Sequence, residues 1–122
     1  MFYFVGGISM KIYEIFEKIF KKYRNNEEYI DYENTKMILK NDKEAKLIDV
    51  RSPQEYKEGH LEGAINIPLY DIEKCIEQEI KNKESTIIVY CQSGGRSRKA
   101  TQILKEKEYT NVYQIEGGLD NL

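Results

Sequence analysis

The sequence predicts an α/β domain in which a parallel sheet carries helices on both faces. Three observations point there. Runs of strand length and strand composition recur: Ala45–Val50 (AKLIDV), Ser85–Tyr90 (STIIVY) and Val112–Ile115. Segments with helical periodicity or helix-start chemistry stand between them. The alternation continues along the chain, and strands joined through helices can pair in parallel.

The elements follow in order. Met1 to Met10 is apolar but short, with neither the positive n-region nor the small-residue cleavage site of a signal peptide. Met10 is expected to be the natural start, with Gly6-Gly7 a ribosome-binding sequence read as protein; a mature native chain beginning at Met1 overturns this. From Lys11 to about Lys22, Ile12, Ile15, Phe16, Ile19 and Phe20 share one face of an amphipathic helix. Such a face usually packs on its own domain, a dimer contact being the alternative, and its mixed charges argue against a membrane surface. Arg24 to Glu28 reads as a linker, so residues 1–28 form an N-terminal extension and 29–122 the domain. Tyr29-Ile30 makes a short strand, and Asp31 caps a helix through Met37, Ile38 and Leu39. After the strand Ala45–Val50, Ser52-Pro53-Gln54-Glu55 is a capping box with proline at the first helical position, and Gly59 follows the short helix. Ala64–Pro68 is extended. Asp71 is expected to cap a helix bearing Ile72, Cys75, Ile76 and Ile80. The strand Ser85–Tyr90 leads through a turn into a helix from about Arg96 to Lys107, with Ala100, Ile103 and Leu104 inward. A last strand, Val112–Ile115, precedes Gly117-Gly118, where regular structure is expected to end.

At 122 residues and 14.4 kDa the chain makes one domain with one core. With 40% hydrophobic and 33% charged residues it is too apolar to be disordered. The net charge of -2 and the absence of a basic cluster argue against nucleic acid as a partner. No apolar run reaches bilayer length. Two cysteines, Cys75 and Cys91, are too few for a secreted disulfide scaffold and fit reduced thiols in the cytoplasm.

The chemistry concentrates in Val89-Tyr90-Cys91-Gln92-Ser93-Gly94-Gly95-Arg96-Ser97. A buried strand ends, a cysteine follows at once, and a glycine-containing loop opens a helix. Ligands of open parallel sheets bind beyond the carboxyl ends of the strands, which is where Cys91 falls. Gly94 and Gly95 allow the backbone to turn successive N–H groups inward, and the helix start adds unpaired N–H groups and a positive dipole end. Such a cradle holds an anion and lowers the pKa of a cysteine beside it. Arg96 adds a permanent charge with a donor fork suited to an oxyanion. Cys91 is therefore the candidate nucleophile, and Gln92, Ser93, Gly94, Gly95 and Arg96 the candidate substrate-binding loop.

The chain resembles the rhodanese-like domains over roughly Tyr29 to Leu119. The matching segments are Leu47-Ile48-Asp49-Val50-Arg51, Glu55-Tyr56, the run Gly59 to Pro68 (GHLEGAINIP), Val89-Tyr90-Cys91 with Gly94-Gly95-Arg96-Ser97, and Gly117-Gly118. The resemblance implies a five-stranded parallel sheet between helices. It implies transfer of a sulfane sulfur from a donor such as thiosulfate to a thiophilic acceptor, cyanide or a thiol, with the catalytic cysteine at Cys91. Cys91 to Arg96 is a six-residue loop, the sulfurtransferase length. Related dual-specificity phosphatases use a loop one residue longer, so phosphatase or arsenate reductase activity is the less favoured reading. Two further alternatives are a rhodanese module without turnover and a persulfide carrier that hands sulfur to a protein partner. The intact Cys91 and Arg96 speak against the first. The reaction requires no metal and no organic cofactor. Two positions depart from the family: Glu108 stands about where a glycine usually ends the helix after the loop, and Leu119 stands where an aromatic is common.

Other reactive residues receive quieter readings. Asp49 and Arg51 close a strand near the same sheet edge; they are read as a structural ion pair, the alternative being that they orient the loop or extend its positive field. Glu55 is accounted for by capping. His60, the single histidine, takes a hydrogen-bonded structural role in its turn. Cys75 lies on the apolar stripe of its helix and belongs to the core, or else acts as a resolving thiol.

Overall fold

The computed structural model describes residues 2–5, 8–11, 14, 15, 17 and 28–122. Strands β1 (Phe2–Val5) and β2 (Ile8–Lys11) pair antiparallel as a two-stranded sheet. The amphipathic helix expected from Lys11 meets a strand at Lys11; beyond it Glu14, Ile15 and Glu17 are helical, and the rest of that segment lies outside the described residues.

From Tyr29 onward strand and helix alternate: β3 (Tyr29–Ile30), α1 (Tyr32–Asn41), β4 (Lys46–Asp49), α2 (Pro53–Glu58), β5 (Ala64–Asn66), α3 (Leu69–Glu79), β6 (Thr86–Tyr90), α4 (Gly95–Glu106) and β7 (Asn111–Ile115), closing on a 3-10 helix, Gly118–Asn121. The five strands β3 to β7 form one sheet in the order β3-β7-β6-β4-β5, every neighbouring pair parallel. The five-stranded parallel sheet between helices is thus present. Among the described residues no helix is long and apolar enough to cross a membrane.

The pleat of β6 divides the core. All five of its residues are buried. Ile87 and Val89 join the apolar cluster containing Ile72 and Ile76 of α3 and Ala100 and Leu104 of α4. Ile88 and Tyr90 join the opposite cluster, with Ile38 of α1, Leu47 of β4 and Tyr113 of β7. This is the period of two of a strand buried on both faces. Each such side chain adds about 1.5–3 kcal/mol relative to exposure. Cys91 continues the odd register and enters the α3/α4 cluster.

Helix starts follow local chemistry. Asp31 Oδ1 accepts the Asn34 N–H at 2.7 Å. Ser52 and Glu55 complete a reciprocal capping box behind Pro53. One start differs from expectation: α3 begins at Leu69 after Pro68, two residues before Asp71. The Leu69 N–H is already satisfied by the Val50 carbonyl at 2.9 Å, so the helix opens without a side-chain cap. Regular structure also continues past Gly117-Gly118 into the 3-10 helix, because two left-handed glycines turn the chain back onto the loop after β6.

Candidate active site

β4 and β6 are neighbours whose chains leave in opposite directions, β4 through α2 to β5 and β6 through α4 to β7. Their carboxyl ends therefore flank a topological switch point, where an open α/β sheet forms its crevice. Asp49, Val50 and Arg51 come from one lip and Cys91 from the other.

Cys91 is 1% exposed. Its sulfur receives the Gly94 N–H at 3.0 Å and the Ser97 N–H at 3.4 Å, and the Ser97 Oγ lies 3.6 Å away. Burial pushes the thiol pKa up; the Ser97 hydroxyl and the N–H groups of Ser97, Gly94 and Arg96 outweigh it, leaving the thiol below its ordinary value. The turn that allows this rests on Gly94, at φ 113°; Gly95 is already helical. The expectation that both glycines make the turn is corrected to one.

The side chains of the loop are engaged in particular ways. Arg96 closes a two-pronged ion pair on Glu55, Nη1 to Oε1 at 2.6 Å and Nη2 to Oε2 at 3.0 Å. The Arg96 guanidinium and the Ser52 groups of the capping box hold the Glu55 carboxyl at about 2. Gln92 is tied on both sides: its Oε1 accepts from Arg51 Nη1 at 3.3 Å, and its Nε2 donates to Asp120 Oδ1 at 2.6 Å. Arg51 in turn grips Asp49, Nη2 to Oδ2 at 2.7 Å with both side chains out of water, and donates to the Gly59 carbonyl at 2.6 Å. Asp49, Arg51, Gln92 and Asp120 thus form one chain from the end of β4 to the C-terminal turn. Ser93 is exposed and, with Gly95, Arg96, Arg98, Lys99 and Gln102, lines a hollow of about 510 Å³ opening beside the loop. A second hollow, about 350 Å³ between β3 and the C-terminus, contains Tyr29, Asp31 and Glu116 but neither cysteine.

Three contributors escaped the sequence reading. Glu55 does more than cap its helix: it also holds Arg96. Ser97 appeared only within a motif; its place in the first turn of α4, facing back to the cysteine, is the signal that could have found it. Gln114, buried in β7, accepts from Ser97 Oγ at 2.9 Å and donates to Glu28 Oε2 at 3.2 Å. Away from the crevice, His60 stacks on Tyr56 with ring centroids 3.6 Å apart and its Nδ1 meets the Tyr56 carbonyl. Cys75 is half-buried against the α3/α4 cluster. Among the described residues no cluster of three or more His, Cys, Asp or Glu side chains is placed to hold a metal.

Comparison with known proteins fits this geometry. The family model of the rhodanese-like domain matches residues 33–122. Thiosulfate sulfurtransferase PspE of Escherichia coli (strain K12) is 43% identical over 75 residues, 62% of this chain and 71% of that protein. A tRNA uridine(34) hydroxylase of Buchnera aphidicola is 36% identical over 97 residues, 75% of this chain but only 30% of the hydroxylase. Among solved structures, a rhodanese with anions from E. coli superposes with a TM-score of 0.59 at 41% identity, covering 64% of this chain and 91% of its own.

Proposed function

The chain belongs to the rhodanese-like domain family, and from that membership we propose that it is a sulfurtransferase working through a persulfide on Cys91. The observation that carries the reading is the sulfur of Cys91 facing two backbone N–H groups at 3.0 and 3.4 Å, at the start of α4. In the first half-reaction the Cys91 thiolate attacks the outer sulfur of a donor; the donor's S–S bond breaks and its electron pair leaves with the departing anion. The N–H groups that held the thiolate then hold the Cys91 persulfide. In the second half-reaction a thiophilic acceptor, cyanide or a thiol, attacks the outer sulfur and the thiolate returns. This is covalent catalysis with ping-pong kinetics. The likeness to PspE supports thiosulfate as one donor.

A second reading, relay of persulfide sulfur to a protein partner, draws on the hydroxylase likeness, where the matching stretch is a minor part of a longer protein. The proposal places the chain in the cytoplasm, because Cys75 and Cys91 are both free thiols; cell fractionation tests that.

Intact mass after thiosulfate or a persulfide donor, and again after cyanide, tests the function on wild type and Cys91→Ser. The expected result is a gain of one sulfur by wild type alone, then its loss with thiocyanate formed. A wild type that gains sulfur from no donor overturns the proposal.

A further inference from the structure

We infer that Glu55 is a specificity-determining residue: by closing on the Arg96 guanidinium it weakens the hold on doubly charged anions, so that the preferred sulfur donor is a persulfide of an organic thiol and not a dianion such as thiosulfate. The inference rests on the sulfurtransferase reading and names the donor class for it.

Glu55 is in place independently of Arg96. Its Oε1 accepts from the Ser52 N–H and the Ser52 hydroxyl, each at 3.1 Å, so the capping box of α2 fixes the carboxylate at the crevice. Arg96 then meets it fork to fork, the geometry in which a guanidinium and a carboxylate satisfy each other most fully. The Arg96 backbone N–H is among the groups that lower the Cys91 thiol, while the charge of its side chain is in large part compensated by Glu55. What remains at the sulfur is a set of N–H groups and a helix dipole end, suited to about one negative charge. Arg98 and Lys99 stand at the rim of the adjoining hollow and draw anions of any valence toward it. Discrimination by charge falls to the compensated pair beside the sulfur.

The charge balance of the two donors separates them. With thiosulfate, the Cys91 thiolate bonds to the outer sulfur, the S–S bond breaks, and sulfite leaves with the pair. Thiolate and dianion bring three negative charges to the crevice; persulfide anion and sulfite carry the same three away. With a protonated persulfide, R–S–SH, the same attack forms Cys91–S–SH and releases R–S⁻, and a single negative charge is present throughout. A cradle whose arginine is already neutralised favours the second course.

The test is Glu55→Gln. Glutamine keeps an acceptor for the Ser52 N–H, so the capping box survives while the ion pair is lost; urea unfolding confirms the fold. kcat/KM is measured for thiosulfate and for the persulfide of 2-mercaptoethanol, whose organic part carries no charge, with cyanide as acceptor, in wild type and variant. In wild type the persulfide is expected to be the better donor. In the variant the thiosulfate-to-persulfide ratio of kcat/KM is expected to rise about fivefold, through KM for thiosulfate. In parallel, sulfate titrated against the amide resonances of Gly94 and Gly95 is expected to bind about fivefold tighter to the variant. Turnover with both donors and a ratio unchanged within twofold, or sulfate binding no tighter, overturns the role of Glu55 alone. Turnover with neither donor overturns the donor preference together with the sulfurtransferase reading.

Discussion

Gly118 lies against the Cys91 carbonyl so closely that a Cβ on Gly118 would overlap that oxygen and the Gln92 carbonyl beside it. The approach has a purpose that the hydrogen bonds reveal. The Leu119 N–H donates to the Cys91 carbonyl at 3.0 Å and the Asp120 N–H to the Gln92 carbonyl at 2.9 Å. The C-terminal turn therefore takes up the carbonyls at the start of the loop, and the later N–H groups of the loop are left to face the sulfur.

Gly118→Ala is expected to lower stability by about 2–4 kcal/mol, combining a left-handed backbone position at φ 62° with direct overlap. The loop should lose its shape with it. Gly95→Ala is the control: Gly95 is helical, a Cβ there meets nothing within 4 Å, and the change should cost nothing or gain up to about 1 kcal/mol. Urea unfolding of the two variants separates them. Equal stabilities would mean that the C-terminal turn does not brace the loop.

The balance on Cys91 sets a pH dependence with a definite sign. Its thiol is lowered in the folded chain, since the hydrogen bonds from Ser97, Gly94 and Arg96 exceed the opposing effect of burial. A lowered folded pKa stabilises the fold above the unfolded thiol value, and that contribution is lost as pH falls through the folded value. The rate of sulfur uptake should follow the same thiolate, falling as pH drops through the lowered pKa. Ser97→Ala removes the hydroxyl but keeps the N–H, so the acidic limb should move to higher pH. Alkylation of Cys91 by iodoacetamide against pH, in a Cys75→Ser background, reads this directly. An unmoved profile would remove Ser97 from the account.

The strand-to-cysteine-to-helix order, the capping box at Ser52 and the apolar interior of β6 could all be read from the chain, because each is a pattern among near neighbours. The Asp49–Arg51 pair was legible for the same reason, being two residues apart. What could not be read is who meets whom across the crevice. Arg96 finds Glu55 and Gln92 finds Arg51 only because β4 and β6 are adjacent in the sheet, and periodicity carries no strand order. Asp71 is not the cap because the helix starts earlier, at Leu69, whose N–H is already taken by the Val50 carbonyl just beyond β4. Gln114 reads as one more strand residue until α4 brings Ser97 over it.

Glu108 stands where the family commonly has glycine near the end of this helix, and the backbone there calls for one. Among the described residues it is the one non-glycine with positive φ, at 71°. The conformation is imposed: the Lys107 and Glu108 N–H groups bond back to Ile103, Leu104 and Lys105, and the Tyr109 N–H reaches the Leu104 carbonyl at 3.1 Å, so the chain must turn left-handed to bring Tyr109 into the core. A residue with a Cβ carries about 1–2 kcal/mol of strain there. Glycine relieves it but has more freedom to lose on folding, so Glu108→Gly should gain about 0.5–1 kcal/mol net. Because the Glu108 side chain is exposed and distant in sequence from the loop, sulfur uptake by Cys91 should be unaltered. Thermal unfolding of the variant checks the gain; a fall in stability would mean that the Glu108 side chain itself supports the turn.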